Sequence, residues 1–152
     1  MSKFFHPLMH NNFSSSDITS VKNFLNKSKI LTSNKKVKEF EKKWSKWQGT
    51  KYSVFVNSGS SANLLSIAYL KTIFHSGEII VPTLTWSSDV SSVINSGFKP
   101  VFVDIDLKNL GAIENEIIKK INKKTIAVFL THVLGFNCLS SKLIKYLKSK
   151  KI

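Results

Sequence analysis

The chain contains no arginine. All 23 of its basic residues are lysine, set against nine acidic ones. A net charge of +14 ordinarily raises nucleic acid as a partner. Guanine edges and phosphates, however, are gripped bidentately by the guanidinium that this chain lacks. Heavy use of lysine, asparagine, isoleucine and serine accompanies that absence, which is a bias of the whole composition rather than of one surface. The lysines are dispersed, with small clusters at Lys35-Lys36, Lys42-Lys43, Lys119 to Lys124 and Lys142 to Lys151. Each cluster falls on a predicted helix or at its end, where solvated charge accounts for it. No nucleic-acid partner is expected. Cys138 is the only cysteine, which excludes an internal disulfide and a cysteine-rich zinc site. No metal site is expected, and a reducing cytoplasm fits. The longest apolar runs are a few residues, far short of a membrane span. Met1 to His10 lacks a basic start followed by an apolar core, so no signal peptide is expected. With 42% hydrophobic residues and a mean hydropathy of -0.03, the 152 residues read as one soluble globular domain with a real core.

What is present begins with Val56-Asn57-Ser58-Gly59-Ser60-Ser61-Ala62-Asn63. Tyr52 to Val56 is β-branched and aromatic, as a buried strand should be. Ser58 to Ser61 reads as a tight polar turn, and Ala62 to Leu70 is apolar enough to pack as a helix. Such a junction aims free N–H groups and two hydroxyls at one point beyond the strand's carboxyl end, a point suited to an anion and above all to a phosphate. The plainer reading is a βα turn whose serines cap a helix.

Two helices are predicted ahead of this junction. One runs from Asp17 to Asn26 after Ser14-Ser15-Ser16. The other runs from Lys35 to Gln48, with Ser33 or Asn34 as N-cap and Gly49 as stop. Val37, Phe40, Trp44 and Trp47 make one apolar stripe on the second helix, expected in a core or an interface. From Tyr52 onward strands are predicted at Tyr52–Val56, Glu78–Val81, Lys99–Val103 and Thr125–Leu130. Helices are predicted at Ser61–Thr72, Trp86–Ser96, Asn115–Ile121 and Lys142–Lys150. Repeated βα units with near-continuous apolar strands imply an α/β fold, a mainly parallel sheet covered on both faces. Residues 1–34 form an arm and helix, and 35–152 the sheet-bearing domain. Ligands of such sheets sit beyond the strand carboxyl ends, which here carry Ser58 to Ser61, Thr83 to Trp86, Asp104 to Asp106, and His132.

Each of these has a structural alternative. Trp86 at a helix start can lie flat on an aromatic ligand or fill a core. Asp104 and Asp106 can face a cation or act as turn formers and caps. His132 can bond a ligand or satisfy a structural neighbour. Cys138 has no basic partner nearby in sequence and reads as inert packing.

Taken in order, these residues resemble the DegT/DnrJ/StrS family of sugar aminotransferases. Leu31-Thr32 through Val37-Lys38-Glu39-Phe40-Glu41 looks like the family's amino-terminal segment. Val56 to Leu65 looks like its phosphate-cup turn, and Pro82 to Trp86, Pro100 to Asp106 and Thr131 to Gly135 follow at family spacing. The resemblance implies the amino-terminal part of the large domain of a fold-type I pyridoxal-phosphate enzyme, a three-layer αβα sandwich. It implies that Ser60 and Ser61 contact the cofactor phosphate through N–H and hydroxyl groups, that Trp86 stacks on the pyridine ring, and that His132 lies near cofactor or substrate. The implied substrates are a nucleotide-linked keto-sugar and an amino donor, in polysaccharide or lipopolysaccharide sugar biosynthesis. The form of Val56 to Leu65 is close to the branch of CDP-4-keto-6-deoxyglucose 3-dehydrases. Where the family often has asparagine and aspartate after Asp106, this chain has Leu110-Gly111-Ala112-Ile113-Glu114, and no role carries over there.

Pyridoxal-phosphate chemistry needs a lysine to hold the cofactor and move a proton, and a carboxylate on the pyridine nitrogen. The resemblance puts both beyond Lys150-Lys151-Ile152, with a histidine replacing the lysine in the dehydrase branch. No catalytic residue is therefore assigned in this chain. The expected reading is an amino-terminal fragment of a sugar aminotransferase or of a sugar 3-dehydrase, completed by another polypeptide or paired as a homodimer. A non-catalytic interaction or relic protein is the alternative. Helix faces with Leu143, Ile144 and Leu147 are expected to lie uncovered and to favour aggregation. The purified chain alone is expected to transfer no amino group to any keto-sugar nucleotide. A coupled assay that detects such transfer would refute the fragment reading.

Overall fold

The computed structural model describes residues 11–152; the predicted absence of a signal peptide, and the first part of the arm, lie outside them. The chain forms two compact units, one ending at Phe55 and the other spanning Val56–Ile152.

In the first unit α1 (Ser15–Lys27) opens with a capping box. The Ser14 hydroxyl accepts from the Asp17 N–H, while the Asp17 carboxylate accepts from the Ser14 N–H. Helix α2 (Lys35–Gln48) takes Asn34 as N-cap and ends on Gly49 at φ 73°, a left-handed position that costs glycine nothing. Its aromatic stripe is exposed. Phe40 stacks on Trp44, Trp44 meets Trp47, and Phe55 packs edge-on against Phe40.

The predicted strand Tyr52–Val56 does not form. Its residues carry no regular secondary structure and have no ladder partner among the described residues, and Tyr52, Val54 and Phe55 are exposed. Strand propensity is a statement about fitting a half-buried surface, and no neighbouring strand offers one here. The Phe55 N–H instead donates to the Glu41 carboxylate at 2.9 Å.

The second unit is built on three parallel strands, β1 (Glu78–Pro82), β2 (Lys99–Val103) and β3 (Thr125–Val128), in the order β2-β1-β3. Prediction carried β3 to Leu130. The ladder gives one further bond, from the Phe129 N–H to the Ile80 carbonyl, and then meets Pro82, which has no N–H to continue it. Alternation along β1 separates two cores. Ile79 and Val81 pack with Ile67 of α3 (Gly59–Lys71) and Val93 of α4 (Ser87–Asn95). Ile80 packs on the other face with Val103, Ile117 of α5 (Glu114–Lys120) and Leu143 of α6 (Ser141–Lys150). The result is the expected α/β arrangement of a sheet between two helix layers. Leu143 is wholly buried, contrary to expectation, because α6 turns it onto the sheet; Ile144 remains exposed.

At the amino end of the sheet, Glu78 accepts from the Asn122 amide at 2.8 Å and pairs with Lys99 at 3.5 Å. The Asn122 hydrogen bond, helped by Lys99 and Lys124 and opposed by desolvation, holds its carboxyl below the usual 4.5. A depressed folded-state value means that this clasp stabilises the fold above the unfolded value and is lost as pH falls through the folded one. Urea midpoints of the chain should therefore drop on acidification below about pH 4.5, and Glu78→Gln should flatten that acid limb. Parallel limbs for the two proteins would show that the clasp contributes nothing. In the core, Ile80→Ala should cost about 2–5 kcal/mol, measured by urea unfolding against the exposed-site control Leu107→Ala.

Candidate functional site

Strand β1 lies between two neighbours, and the chain leaves it toward one helix layer while it leaves β3 toward the other. Such a reversal opens a crevice at the carboxyl ends, the place where open α/β sheets bind ligands. Trp86 and His132 follow those two strand ends.

Helix α3 begins at Gly59, so Ser60 and Ser61 lie in its first turn rather than in a preceding loop. Ser58 is the reason. Its hydroxyl accepts from the Ser61 N–H at 3.1 Å, and its carbonyl takes the Ala62 N–H. The capping role weighed for these serines is thus real, and it occupies one of the donors assigned to a phosphate. The N–H groups of Gly59 and Ser60 have no intrahelical acceptor, as for any first turn. Ser60 is exposed and Ser61 half-buried.

Trp86 is the N-cap of α4 and makes no side-chain capping bond. Its indole is 69% exposed, so it is not a core tryptophan. The starts of α3 and α4 are tied together. The Asn63 amide, early in α3, donates to Ser88 at 3.1 Å and to the Asp89 carboxylate, both in the first turn of α4. The α3 turn therefore stands at the same edge of the sheet as Trp86.

His132 is exposed, and its Nδ1 accepts the Cys138 N–H at 3.2 Å. A backbone N–H can only donate, so the neutral ring carries its proton on Nε2, the nitrogen left for another partner. Cys138 is buried as expected, but it does have a basic neighbour: its Sγ lies 3.4 Å from the same Nδ1.

Asp104 and Asp106 turn the chain. Asp104 accepts from the Ile105 N–H and Asp106 from the Lys108 N–H, and the bridge between Ile105 and Ala112 closes the loop. Among the described residues no three His, Cys, Asp or Glu side chains gather to hold a metal, and no helix is long and apolar enough to cross a membrane.

One residue at this edge escaped sequence reasoning. Asp89 is 5% exposed. Its Oδ2 accepts from Thr131 at 2.6 Å and from Thr85, and the two threonine hydroxyls are 2.6 Å apart. An acid at the third position of a helix ordinarily reads as a solvated companion of the dipole. Only the tertiary pairing of β1 with β3 brings Thr131 to it.

The likeness to known proteins covers nearly the whole chain. A family model described as the DegT/DnrJ/EryC1/StrS aminotransferase family matches residues 12–152. A GDP-4-keto-6-deoxy-D-mannose 3-dehydratase of Yersinia pseudotuberculosis is 35% identical over 85% of this chain and 34% of its own length. A GDP-perosamine synthase of Escherichia coli O157:H7 is 30% identical over 76% of this chain and 32% of its own. The solved E. coli GDP-4-keto-6-deoxy-D-mannose-3-dehydratase with bound hydrated PLP superposes with a TM-score of 0.88 at 32% identity, over 96% of this chain and 39% of that one. The 3-dehydratases among these relatives are named for a GDP-linked sugar, and the resemblance of Val56 to Leu65 likewise points to a 3-dehydrase branch. The chain spans about a third of the length of these curated relatives. By the extent of that match, it belongs to the DegT/DnrJ/EryC1/StrS aminotransferase family.

Proposed function

We propose that this chain provides the phosphate- and ring-binding part of a pyridoxal-phosphate enzyme that acts on nucleotide-linked keto-sugars in the cytoplasm. Residues 35–152 then form part of its cofactor-binding domain and 1–34 an arm. The observation that carries the reading is the tie between the two helix starts. Asn63, two residues past the α3 turn, is bonded to Ser88 and Asp89 in the first turn of α4, the helix that follows the exposed Trp86 at the end of β1. The N–H groups and hydroxyls of the α3 turn and that indole are the groups an aromatic phosphate ester needs, so the residues present fit the cofactor.

Pyridoxal phosphate, when bound, supplies the electron sink for chemistry at a substrate carbon. This chain's residues bind and orient it. Gly59 and Ser60 offer N–H groups, and Ser60 and Ser61 offer hydroxyls. The helix start adds a partial positive charge of about half a unit. Trp86 covers one face of the ring and keeps water from it. His132, with Nδ1 engaged by Cys138, presents Nε2–H as a donor to cofactor or substrate. No residue here is assigned the proton transfer. Completion by a further polypeptide or a second subunit, and an amino donor, belong to this proposal.

A second reading is deoxygenation rather than amino transfer. The 35% identity to a 3-dehydratase favours it.

The test needs a probe without an aldehyde, because 23 lysines would react with pyridoxal phosphate indiscriminately. 4′-Deoxypyridoxine 5′-phosphate retains ring and phosphate. The chain should bind it saturably with quenching of tryptophan fluorescence. Trp86→Ala should weaken binding about tenfold, the upper range of an aromatic stacking contact, and leave inorganic phosphate binding unchanged. Ser60→Ala with Ser61→Ala should weaken both ligands only partly, since the backbone donors stay. Failure of the chain to bind the probe, or equal binding by Trp86→Ala, would overturn the reading. Ser58→Ala should lower stability by about 1 kcal/mol through loss of the cap, checked by urea unfolding.

A further inference from the structure

Asp89 is a buried carboxylate without a cation. The ion pairs among the described residues are Lys36–Glu39, Lys99–Glu78 and Lys119–Glu116, and none includes it. Neutral donors and the start of α4, rather than a cation, offset its desolvation, which makes those bonds costly to lose. Oδ1 takes the Asn63 amide, and Oδ2 takes the hydroxyls of Thr85 and Thr131. The backbone of Asp89 adds a fourth tie, its N–H donating to the Trp86 carbonyl at 2.9 Å.

The positions of these partners are informative. Thr85 immediately precedes Trp86, Thr131 immediately precedes His132, and Asn63 lies two residues after Ser61. One carboxylate thus bonds to the residue before Trp86, the residue before His132 and a residue two after Ser61, while making no hydrogen bond to the Trp86, His132 or Ser61 side chain. Three separate elements are drawn to it: α3, the β1–α4 connection and the segment after β3. A serine, threonine or amide at this position has too few acceptor lone pairs on one side to gather two hydroxyls and an amide together. Trp86, with its exposed indole and no side-chain cap of its own, is itself bonded, among the described residues, only through its carbonyl to the Asp89 N–H, the loop's other backbone bond being Thr83 N–H to the Val103 carbonyl.

We propose that Asp89 is the positioning residue of this site, fixing the Trp86 indole relative to the α3 turn so that a ring and its phosphate are met together. The ligand half of this statement rests on the cofactor reading above; the positional half does not.

The experiment uses the full chain carrying Trp44→Phe and Trp47→Phe, so that Trp86 is the only indole, and compares Asp89→Asn, Thr131→Val and Thr131→Ser on that background. Time-resolved fluorescence anisotropy reads the local motion of Trp86. Titration with 4′-deoxypyridoxine 5′-phosphate and with inorganic phosphate reads the two ligands separately. Asp89→Asn and Thr131→Val should each add a fast anisotropy component. Each should weaken the ring-bearing probe about tenfold and keep inorganic phosphate within about twofold of the parent. Thr131→Ser, which keeps the hydroxyl, should behave as the parent. Should Asp89→Asn fail to fold, Thr131→Val carries the test, since it deletes one hydroxyl at nearly constant shape. Unchanged Trp86 motion in the folded variants would overturn the proposal, as would equal weakening of both ligands. If the parent binds no probe while the variants free Trp86, the positional assignment stands and the cofactor reading falls.

Discussion

Strand β1 is the constraint on which the second unit depends. It is paired on both edges, and Ile79, Ile80 and Val81 have no exposed surface at all. Both cores share it, one per face, so neither helix layer can be placed without it. Its carboxyl end, set by Pro82, is where the backbone ladder to β3 stops and the two neighbouring segments part. Thr83 to Trp86 and Phe129 to His132 continue the two strands that separate there, at the switch point where open α/β sheets bind ligands. Fold and candidate site are therefore one problem in this chain.

The polar groups at that end answer a difficulty that the apolar sheet creates. Segments leaving a sheet in opposite directions have no ladder to hold them. Here a carboxylate and two threonines replace it, joining the β1 and β3 exits through side chains. The amino end is held differently, by Glu78, Lys99 and Asn122, in a solvated setting where charge is screened. The two ends of the sheet are thus held by different means, a buried clasp at the carboxyl end and a more exposed one at the amino end.

Much of this was legible in the residues. Among the described residues the six helices lie within two residues of their predicted bounds, since periodicity and signals such as Asn34 and Gly49 act locally. The three parallel strands were legible as apolar runs between those helices. Tyr52–Val56 was misread because a lone segment with strand composition carries no record of whether a partner strand is present. Ser60 and Ser61 were found through their motif, but their place inside the helix followed from Ser58, whose hydroxyl chooses its donor in three dimensions. Asp89 was silent. Its importance lies in residues 26 positions before it and 42 after it, and no local pattern encodes such a meeting. The Cys138–His132 contact was missed for a different reason: a 3-10 turn at Val133–Gly135 folds the intervening chain back, with Leu134 left-handed at φ 53°, and leucine gives no warning of it.

The Ser58 cap has a further consequence for what the α3 turn accepts. With the Ser61 N–H engaged by a hydroxyl, an incoming anion meets two vacant backbone donors and a third already in use. Recruiting the third means displacing an internal acceptor worth about 1 kcal/mol. A singly charged anion with two oxygens is satisfied by the vacant pair. A phosphate ester, with three terminal oxygens and nearly two charges at neutral pH, would meet all three donors only if the Ser58 hydroxyl gave up the Ser61 N–H. On the cofactor reading proposed above, the serine at the helix threshold therefore sets the cost of a third backbone donor.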